Sequence, residues 1–124
     1  MNILIVDDDA NDVELARRWL ERSGHSVQHA ASGPAALEVL AADPLPDLVI
    51  LDVMLPRIDG FSLLKQIRGS ERLQRLPVIV VSGFADRNED VARAMALGAN
   101  DYIVKPLMEY HFLGRIARLS KATG

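Results

Sequence analysis

A run of four apolar residues that ends in a carboxylate constrains this chain more than any other feature. Leu48-Val49-Ile50-Leu51 leads directly into Asp52, and Pro56 and the pair Asp59-Gly60 follow within a few residues. Unbroken apolar character is typical of a central strand in a parallel sheet, because helices cover both faces of such a sheet. Proline, aspartate and glycine favour a turn directly afterwards. The pattern predicts a buried strand with Asp52 at its carboxyl end, although Asp52 could also serve only as a cap of the next turn.

Four further segments have the length and the apolar content of strands. They are residues 2–6, 26–30, 77–82 and 102–106. Between and after the strands, apolar residues recur at helical spacing and predict five helices. Strands that alternate with helices call for a doubly wound parallel sheet with right-handed crossovers. We therefore predict an α/β fold with a five-stranded parallel sheet in the flavodoxin-like order 2-1-3-4-5.

Polar side chains follow four of these strands, and the predicted strand order brings them to one edge of the sheet. Asp7 and Asp8 follow the first strand, Asp52 ends the third, and Ser82 and Lys105 end the fourth and fifth. Converging carboxylates repel one another, so a proton or a cation must neutralise part of their charge. Oxygen ligands without histidine or cysteine favour Mg²⁺, which typically keeps waters and holds a phosphate oxygen. The sequence thus predicts a Mg²⁺ site that acts on a phosphate.

Asp52 lies centrally among these groups and could attack phosphorus as a carboxylate nucleophile. Lys105 and the metal would then offset the charge on the transferring group, and Ser82 would donate a hydrogen bond to it. The alternative is purely structural: Lys105 forms a salt bridge with an acid, and Ser82 is an ordinary strand end.

Short motifs follow one another in a characteristic order along the chain. They are Asp7-Asp8, Asp52 with the following Met-Leu-Pro and Asp59-Gly60, Ser82-Gly83, and Tyr102 with Lys105-Pro106. With these motifs the chain resembles, over nearly its whole length, the receiver domain of two-component response regulators, in the form of a chemotaxis-regulator-like single domain. Each motif is weakly specific alone, but the order and spacing of the set are highly specific.

The resemblance implies that Asp52 accepts a phosphoryl group from the phosphohistidine of a histidine kinase or a phosphotransfer protein. It also implies that Mg²⁺ is bound by Asp8, Asp52 and the backbone carbonyl of Met54, with Asp7 helping through water. A chain of this kind is a signalling switch and not an enzyme, because it assists only its own phosphorylation and dephosphorylation.

The resemblance further implies that Ser82 and Tyr102 change position when the phosphoryl group arrives. An inward turn of Tyr102 would alter the surface formed by residues 87–119, where we expect a downstream protein target to bind. We read residues 1–124 as a single receiver domain with a frayed tail from about 120 to 124. Because Met1 opens directly into the first strand, we expect a stand-alone regulator or phosphate shuttle, and a removed output domain is the alternative.

Composition narrows the cellular setting. The chain has no cysteine, lacks a secretory signal, and contains no apolar run long enough to span a membrane, so we expect a cytoplasmic protein without a membrane partner. Fourteen basic and seventeen acidic residues give a net charge of −3. Without a basic run, direct binding to nucleic acid is not expected.

Other functions compete with this interpretation. The stretch Asp7-Asp8-Asp9 also resembles the D-x-D pattern of haloacid-dehalogenase-type phosphatases, which would make Asp7 the nucleophile of a small Mg²⁺-dependent enzyme. The chain is short for such an enzyme, and the Asp52 stretch would have no role in it. A flavin or nucleotide binder is disfavoured because acids stand where a phosphate-cradling loop would be needed. A phosphate-independent interaction module is the remaining alternative.

Overall fold

The computed structural model describes residues 1–55, 59–83 and 87–123. Within these ranges, strands and helices alternate from the first residues to the last. The elements are β1 (Asn2–Val6), α1 (Ala10–Arg22), β2 (Ser26–Ala30), α2 (Gly33–Ala41), β3 (Leu48–Asp52), α3 (Gly60–Gly69), β4 (Val78–Ser82), α4 (Arg87–Ala96), β5 (Asp101–Val104) and α5 (Glu109–Thr123). No helix in the described ranges is long and apolar enough to cross a membrane.

The strands form one parallel sheet in the order β2-β1-β3-β4-β5. This order and the flavodoxin-like architecture confirm the prediction. The register places Asp52 of β3 opposite Val81 of β4, and Ser82 opposite Val104 of β5. β2 lies at an edge and is largely exposed, whereas every residue of β3 and β4 is buried. The carboxyl ends of the central strands are thus held at one level of the sheet.

Helices cover the sheet on both faces, which explains the unbroken apolar character of the central strands. Leu51 and Val80 pack on the face covered by α2, α3 and α4. Ile50 and Ile79 pack on the opposite face, against α1 and α5. On that second face the Trp19 ring lies 5.7 Å from the Phe112 ring, centroid to centroid, and joins α1 to α5.

Side-chain caps fix the starts of three helices. Asp9 accepts hydrogen bonds from the first backbone N–H groups of α1, at 3.0 and 3.3 Å. Ser32 caps α2 at 3.2 Å, as its sequence position predicts, and Asp59 caps α3 at 2.8 Å. Such oxygens satisfy N–H groups that have no partner within the helix. The spacing of Asp86 and Glu89 predicts a capping box at the start of α4, but Asp86 lies outside the described residues.

Three strand boundaries differ from the predicted ones, since β4 begins at Val78 and not at residue 77, and β5 spans Asp101–Val104 and not residues 102–106. β5 ends at Val104, so Lys105 follows the strand. The sequence pattern instead predicts Lys105 at the end of the strand itself. Pro106 explains the difference, because proline has no N–H to donate to a strand ladder. The last helix, α5, continues to Thr123, and fraying from about residue 120 stays a prediction.

Candidate functional site

Side chains from four strand ends meet at the carboxyl edge of the sheet. Asp7 follows β1, Asp52 ends β3, Ser82 ends β4 and Lys105 follows β5. Asp7, Asp52 and Ser82 are almost completely buried, at 5%, 4% and 1% exposure. The residues that the sequence pointed to are therefore brought together in one shielded place.

Three carboxylates form the acidic part of this site. Asp7, Asp8 and Asp52 each offer an oxygen, and these oxygens lie within 4.8 Å of one another. Asp8 is exposed, so the cluster opens to solvent on that side. The Met54 N–H donates to Asp52 Oδ1 at 2.8 Å and orients that carboxylate. One buried edge and one open edge suit a site that a small charged group can enter.

Lys105 supplies the positive charge. Its Nζ lies 2.8 Å from Asp52 Oδ2, 2.8 Å from Asp12 Oδ2 and 3.5 Å from Asp7 Oδ2. Burial alone would lower the pKa of Lys105, but hydrogen bonds to Asp12 and Asp52 outweigh burial and raise the pKa above its ordinary value. The side chain is therefore a permanent ammonium ion at neutral pH.

Asp12 was missed in the sequence. It lies in the first turn of α1, four residues before the buried Ala16, so helical periodicity places both residues on the same face of the helix. That periodicity was the available signal. The partner of Asp12 was not predictable, because the contact depends on how α1 packs against the loop after β5.

His29 of β2 was also missed. Its Nε2 lies 2.7 Å from the backbone oxygen of Asp7, which can only accept, so Nε2 donates. The Asp7 N–H in turn donates to the oxygen of Ala30 at 3.1 Å. These two bonds tie the start of the acidic loop to the edge strand.

The surroundings of Asp7 disfavour its charged form. Burial raises its pKa from the ordinary 3.8 to about 6, and the negative charges of Asp52 and Asp12 add to the rise. The Asp9 N–H, which donates to Asp7 Oδ1 at 2.9 Å, and the Lys105 ammonium oppose it. A divalent cation beside these oxygens would favour the charged form of Asp7.

The raised pKa gives a stability prediction for Asp7→Asn. The folded protein holds a proton on Asp7 more tightly than the unfolded chain does, so this group's contribution to stability is present below pH 3.8 and is lost as the pH rises through about 6. Without metal at pH 7.5, Asp7→Asn should therefore raise the free energy of unfolding by roughly 1–3 kcal/mol. Urea titrations at pH 7.5 and pH 4 measure the unfolding free energy of both proteins, and the gain in Asp7→Asn should vanish at pH 4.

The exposed Asp43 provides the control for this experiment. Asp43→Asn removes one charge from a surface ion pair with Arg72 and should change the unfolding free energy by less than about 0.5 kcal/mol at either pH. A loss of stability in Asp7→Asn at pH 7.5 would show that the Asp7 carboxylate is favourable in the fold.

Ser82 presents a hydroxyl without a partner. Its Oγ is buried and makes no hydrogen bond to any residue that the structure describes. A buried unpaired hydroxyl costs about 1–3 kcal/mol, so such groups are uncommon. Ser82 directly follows Val81, the β4 residue paired with Asp52, so Ser82 and Asp52 lie at the same edge of the sheet.

Tyr102 lies half-buried on β5. The guanidinium carbon of Arg115 lies 5.4 Å from the centre of the Tyr102 ring. Arg115 Nη1 also donates to Asp101 Oδ1 at 2.7 Å. The ring is thus in contact with α5 through Arg115.

The donor set of the acidic cluster fits a hard cation. All three clustered side chains are carboxylates, and Mg²⁺ prefers oxygen ligands together with retained waters. Met54, whose carbonyl is the further ligand that the family resemblance implies, lies next to the cluster, since its N–H donates to Asp52 Oδ1. The residues present therefore fit the predicted ion.

A sequence model of the response regulator receiver domain matches residues 3–117 of the chain. The chain belongs to this family. Response regulator MprA of Mycobacterium leprae (strain TN) is 41% identical over 123 residues, which are 99% of this chain and 52% of MprA. The DNA-binding dual master transcriptional regulator RpaA of Synechocystis sp. (strain ATCC 27184 / PCC 6803 / Kazusa) is 36% identical over 121 residues, 98% of this chain and 49% of RpaA. The receiver chain spans about half the length of these relatives.

A solved structure supports the same assignment. The signal receiver domain of a signal transduction histidine kinase from Syntrophus aciditrophicus has a TM-score of 0.88 and 33% identity, and the match covers 98% of this chain and 90% of that one. Phosphorylation of an aspartate and binding of Mg²⁺ at an acidic cluster are typical of the family. The chain is thus a receiver domain of two-component signal transduction.

Proposed function

We propose that Asp52 is the phosphoacceptor of this receiver and that a histidine kinase or phosphotransfer protein is its donor. One observation carries the proposal. Lys105 Nζ lies 2.8 Å from Asp52 Oδ2, in a buried site where the oxygens of Asp7 and Asp8 lie within 4.8 Å of those of Asp52. A carboxylate between an ammonium ion and a cation-binding cluster is suited to attack phosphorus, because both positive charges stabilise the transferring group.

In the proposed reaction, a carboxylate oxygen of Asp52 forms a bond to phosphorus while the bond from phosphorus to the imidazole nitrogen of the donor breaks. The Met54 N–H keeps the carboxylate oriented. The Lys105 ammonium donates to a phosphoryl oxygen, and the Ser82 hydroxyl donates to another. Bound Mg²⁺ would offset the charge of the phosphoryl oxygens, with Asp8, Asp52 and the Met54 carbonyl as its ligands and Asp7 acting through water.

Incubation with Mg²⁺ and acetyl phosphate tests the proposal. Intact mass spectrometry should show the addition of one phosphoryl group, and a chelator should prevent it. If the mass stays unchanged while phosphate monoesters are hydrolysed catalytically, the small phosphatase that uses Asp7 is the better description.

Asp8→Ala should weaken Mg²⁺ binding by roughly tenfold or more, because a hard cation then loses one of its few protein ligands. Asp8 is exposed, so the fold should persist. Isothermal titration with MgCl₂ measures the affinity. Glu14→Gln is the matched control, since Glu14 is an exposed acid paired with Arg18 on α1. Wild-type affinity in Asp8→Ala would exclude Asp8 as a ligand.

Ser82→Ala should separate stability from switching. The hydroxyl has no partner among the described residues, so its removal should leave the melting temperature unchanged or slightly higher. A hydrogen bond to a charged group contributes roughly 1.5–3 kcal/mol, whereas a swing from 1:99 to 99:1 needs about 5.5 kcal/mol. The variant should therefore still be phosphorylated but switch only in part.

Chemical-shift changes upon phosphorylation measure that switching. In the wild type they should cluster in residues 87–119, which we propose as the face that binds a downstream protein, with Tyr102 moving inward. In Ser82→Ala they should shrink. Changes of equal size in both proteins would exclude Ser82 from the switch.

We further propose that residues 1–124 act as one receiver domain whose chemistry is confined to its own phosphoryl group. RpaA is a DNA-binding protein about twice as long as this chain, so the absence of nucleic-acid binding remains a prediction for the receiver residues alone. It follows from their net charge of −3. A cytoplasmic location likewise remains a prediction.

A further inference from the structure

The contact between Asp12 and Lys105 has no role in the proposed phosphoryl transfer. Asp12 Oδ2 lies 2.8 Å from Lys105 Nζ, as close as Asp52 Oδ2 does. The Asp12 side chain is 26% exposed and lies outside the metal-binding group of Asp7, Asp8 and Asp52. A fourth carboxylate therefore competes for the ammonium ion that the reaction needs.

Asp12 and the incoming phosphoryl group compete for the N–H donors of Lys105. An ammonium ion has three N–H donors, and the described residues place three carboxylates around Lys105, two at 2.8 Å and Asp7 at 3.5 Å. A phosphoryl oxygen on Asp52 needs one of these donors. Asp12 holds another, so fewer of the Lys105 donors are free for the incoming group.

Asp12 also changes the net charge of the site. With a divalent cation bound, the site holds three positive charges, two from the cation and one from Lys105. It holds four negative charges, one from each carboxylate of Asp7, Asp8, Asp12 and Asp52. Without Asp12 the charges would balance. Asp9 does not enter this count because its carboxylate caps α1 and is exposed. The charge of Asp12 thus leaves the loaded site negative toward an anionic phosphoryl donor.

We propose that Asp12 is a positioning residue that slows phosphoryl acceptance, by holding Lys105 and by keeping the Mg²⁺-loaded site one charge more negative. This inference rests on the proposed function of Asp52. Through Asp12, the first turn of α1 would then help to set the rate at which the receiver is phosphorylated.

Asp12→Asn tests the inference, because it keeps the shape of the side chain and removes its charge. The rate of phosphorylation by acetyl phosphate is measured at saturating Mg²⁺, with saturation established separately for each protein. We expect a roughly three- to tenfold faster rate, the size expected for one partly exposed charge acting over a few ångströms. The difference should narrow at high salt, since salt screens such charges. Asp12→Ser removes the charge with another side chain suited to the start of a helix and should act in the same direction.

Two further variants distinguish a negative charge in contact with Lys105 from a negative charge elsewhere on α1. Glu14→Gln removes one acid from the exposed side of α1 and should keep the wild-type rate. Asp12→Glu retains the charge and should be slower than Asp12→Asn. An equal or slower rate in both Asp12→Asn and Asp12→Ser, at saturating Mg²⁺, overturns the inference while leaving Asp52 as acceptor. If the wild type itself accepts no phosphoryl group, the proposed function fails instead.

Discussion

Asp52→Asn is expected to abolish phosphoryl acceptance. The amide keeps the size of the carboxylate, but it is uncharged and a far weaker nucleophile, so it cannot form the acyl phosphate. Lys105 retains Asp12 and Asp7 as partners, and the loss of one carboxylate relieves repulsion in the cluster, so the protein should stay folded. Intact mass spectrometry after incubation with Mg²⁺ and acetyl phosphate should show no added phosphoryl group.

Asp47→Asn is the matched control for this prediction. Asp47 directly precedes β3, is exposed, and accepts a hydrogen bond from the Asn2 N–H at 2.7 Å. This variant should gain one phosphoryl group at the wild-type rate. A full gain of mass in Asp52→Asn would mean that another residue is the acceptor, and Asp7 would be the first to examine.

Gly60→Ala is expected to have the largest effect on stability. A Cβ at this position would lie 2.4 Å from Val53 Cα and 2.6 Å from the backbone oxygen of Asp52. Both neighbours are backbone atoms at the end of a buried strand, so neither can move aside without disturbing the sheet. The start of α3 must shift instead, and overpacking of this kind costs about 1–3 kcal/mol or more.

The melting temperature of Gly60→Ala should therefore fall by roughly 10 °C, and phosphorylation should slow because Asp52 is displaced. Gly114→Ala is the control, since a Cβ there meets no atom within 4 Å and alanine favours a helix interior by up to about 1 kcal/mol. It should raise the melting temperature. A Gly60→Ala protein that melts within two or three degrees of the wild type would show that the close approach is relieved easily.

The sequence predicts well those features that depend on the residues of a single strand or helix. The apolar run of β3 predicted a strand buried on both faces, and the structure places helices on both sides of it. Parallel strands bring their carboxyl ends to one edge, so the meeting of Asp7, Asp52 and Lys105 followed from strand order alone. The strand order itself came from the general rule for such folds, not from any one residue.

Contacts between elements were harder to predict. The bond of Asp12 to Lys105 depends on the angle of α1 to the sheet, and the bond of His29 to the Asp7 carbonyl depends on the pairing of β1 with β2. A linear sequence gives the face on which a side chain lies, but not the partner that packing brings to it. The end of β5 has a local reason, because Pro106 has no N–H to donate to the strand ladder and the strand ends at Val104.

Identification of the phosphorylated residue is the most direct measurement of this account. The protein is phosphorylated with acetyl phosphate and Mg²⁺, the acyl phosphate is reduced with borohydride, and peptides are sequenced by mass spectrometry. Reduction converts a phosphorylated aspartate to homoserine and so marks its position. We predict homoserine at position 52 alone. Homoserine at position 7 or 8, with Asp52 intact, would contradict the account.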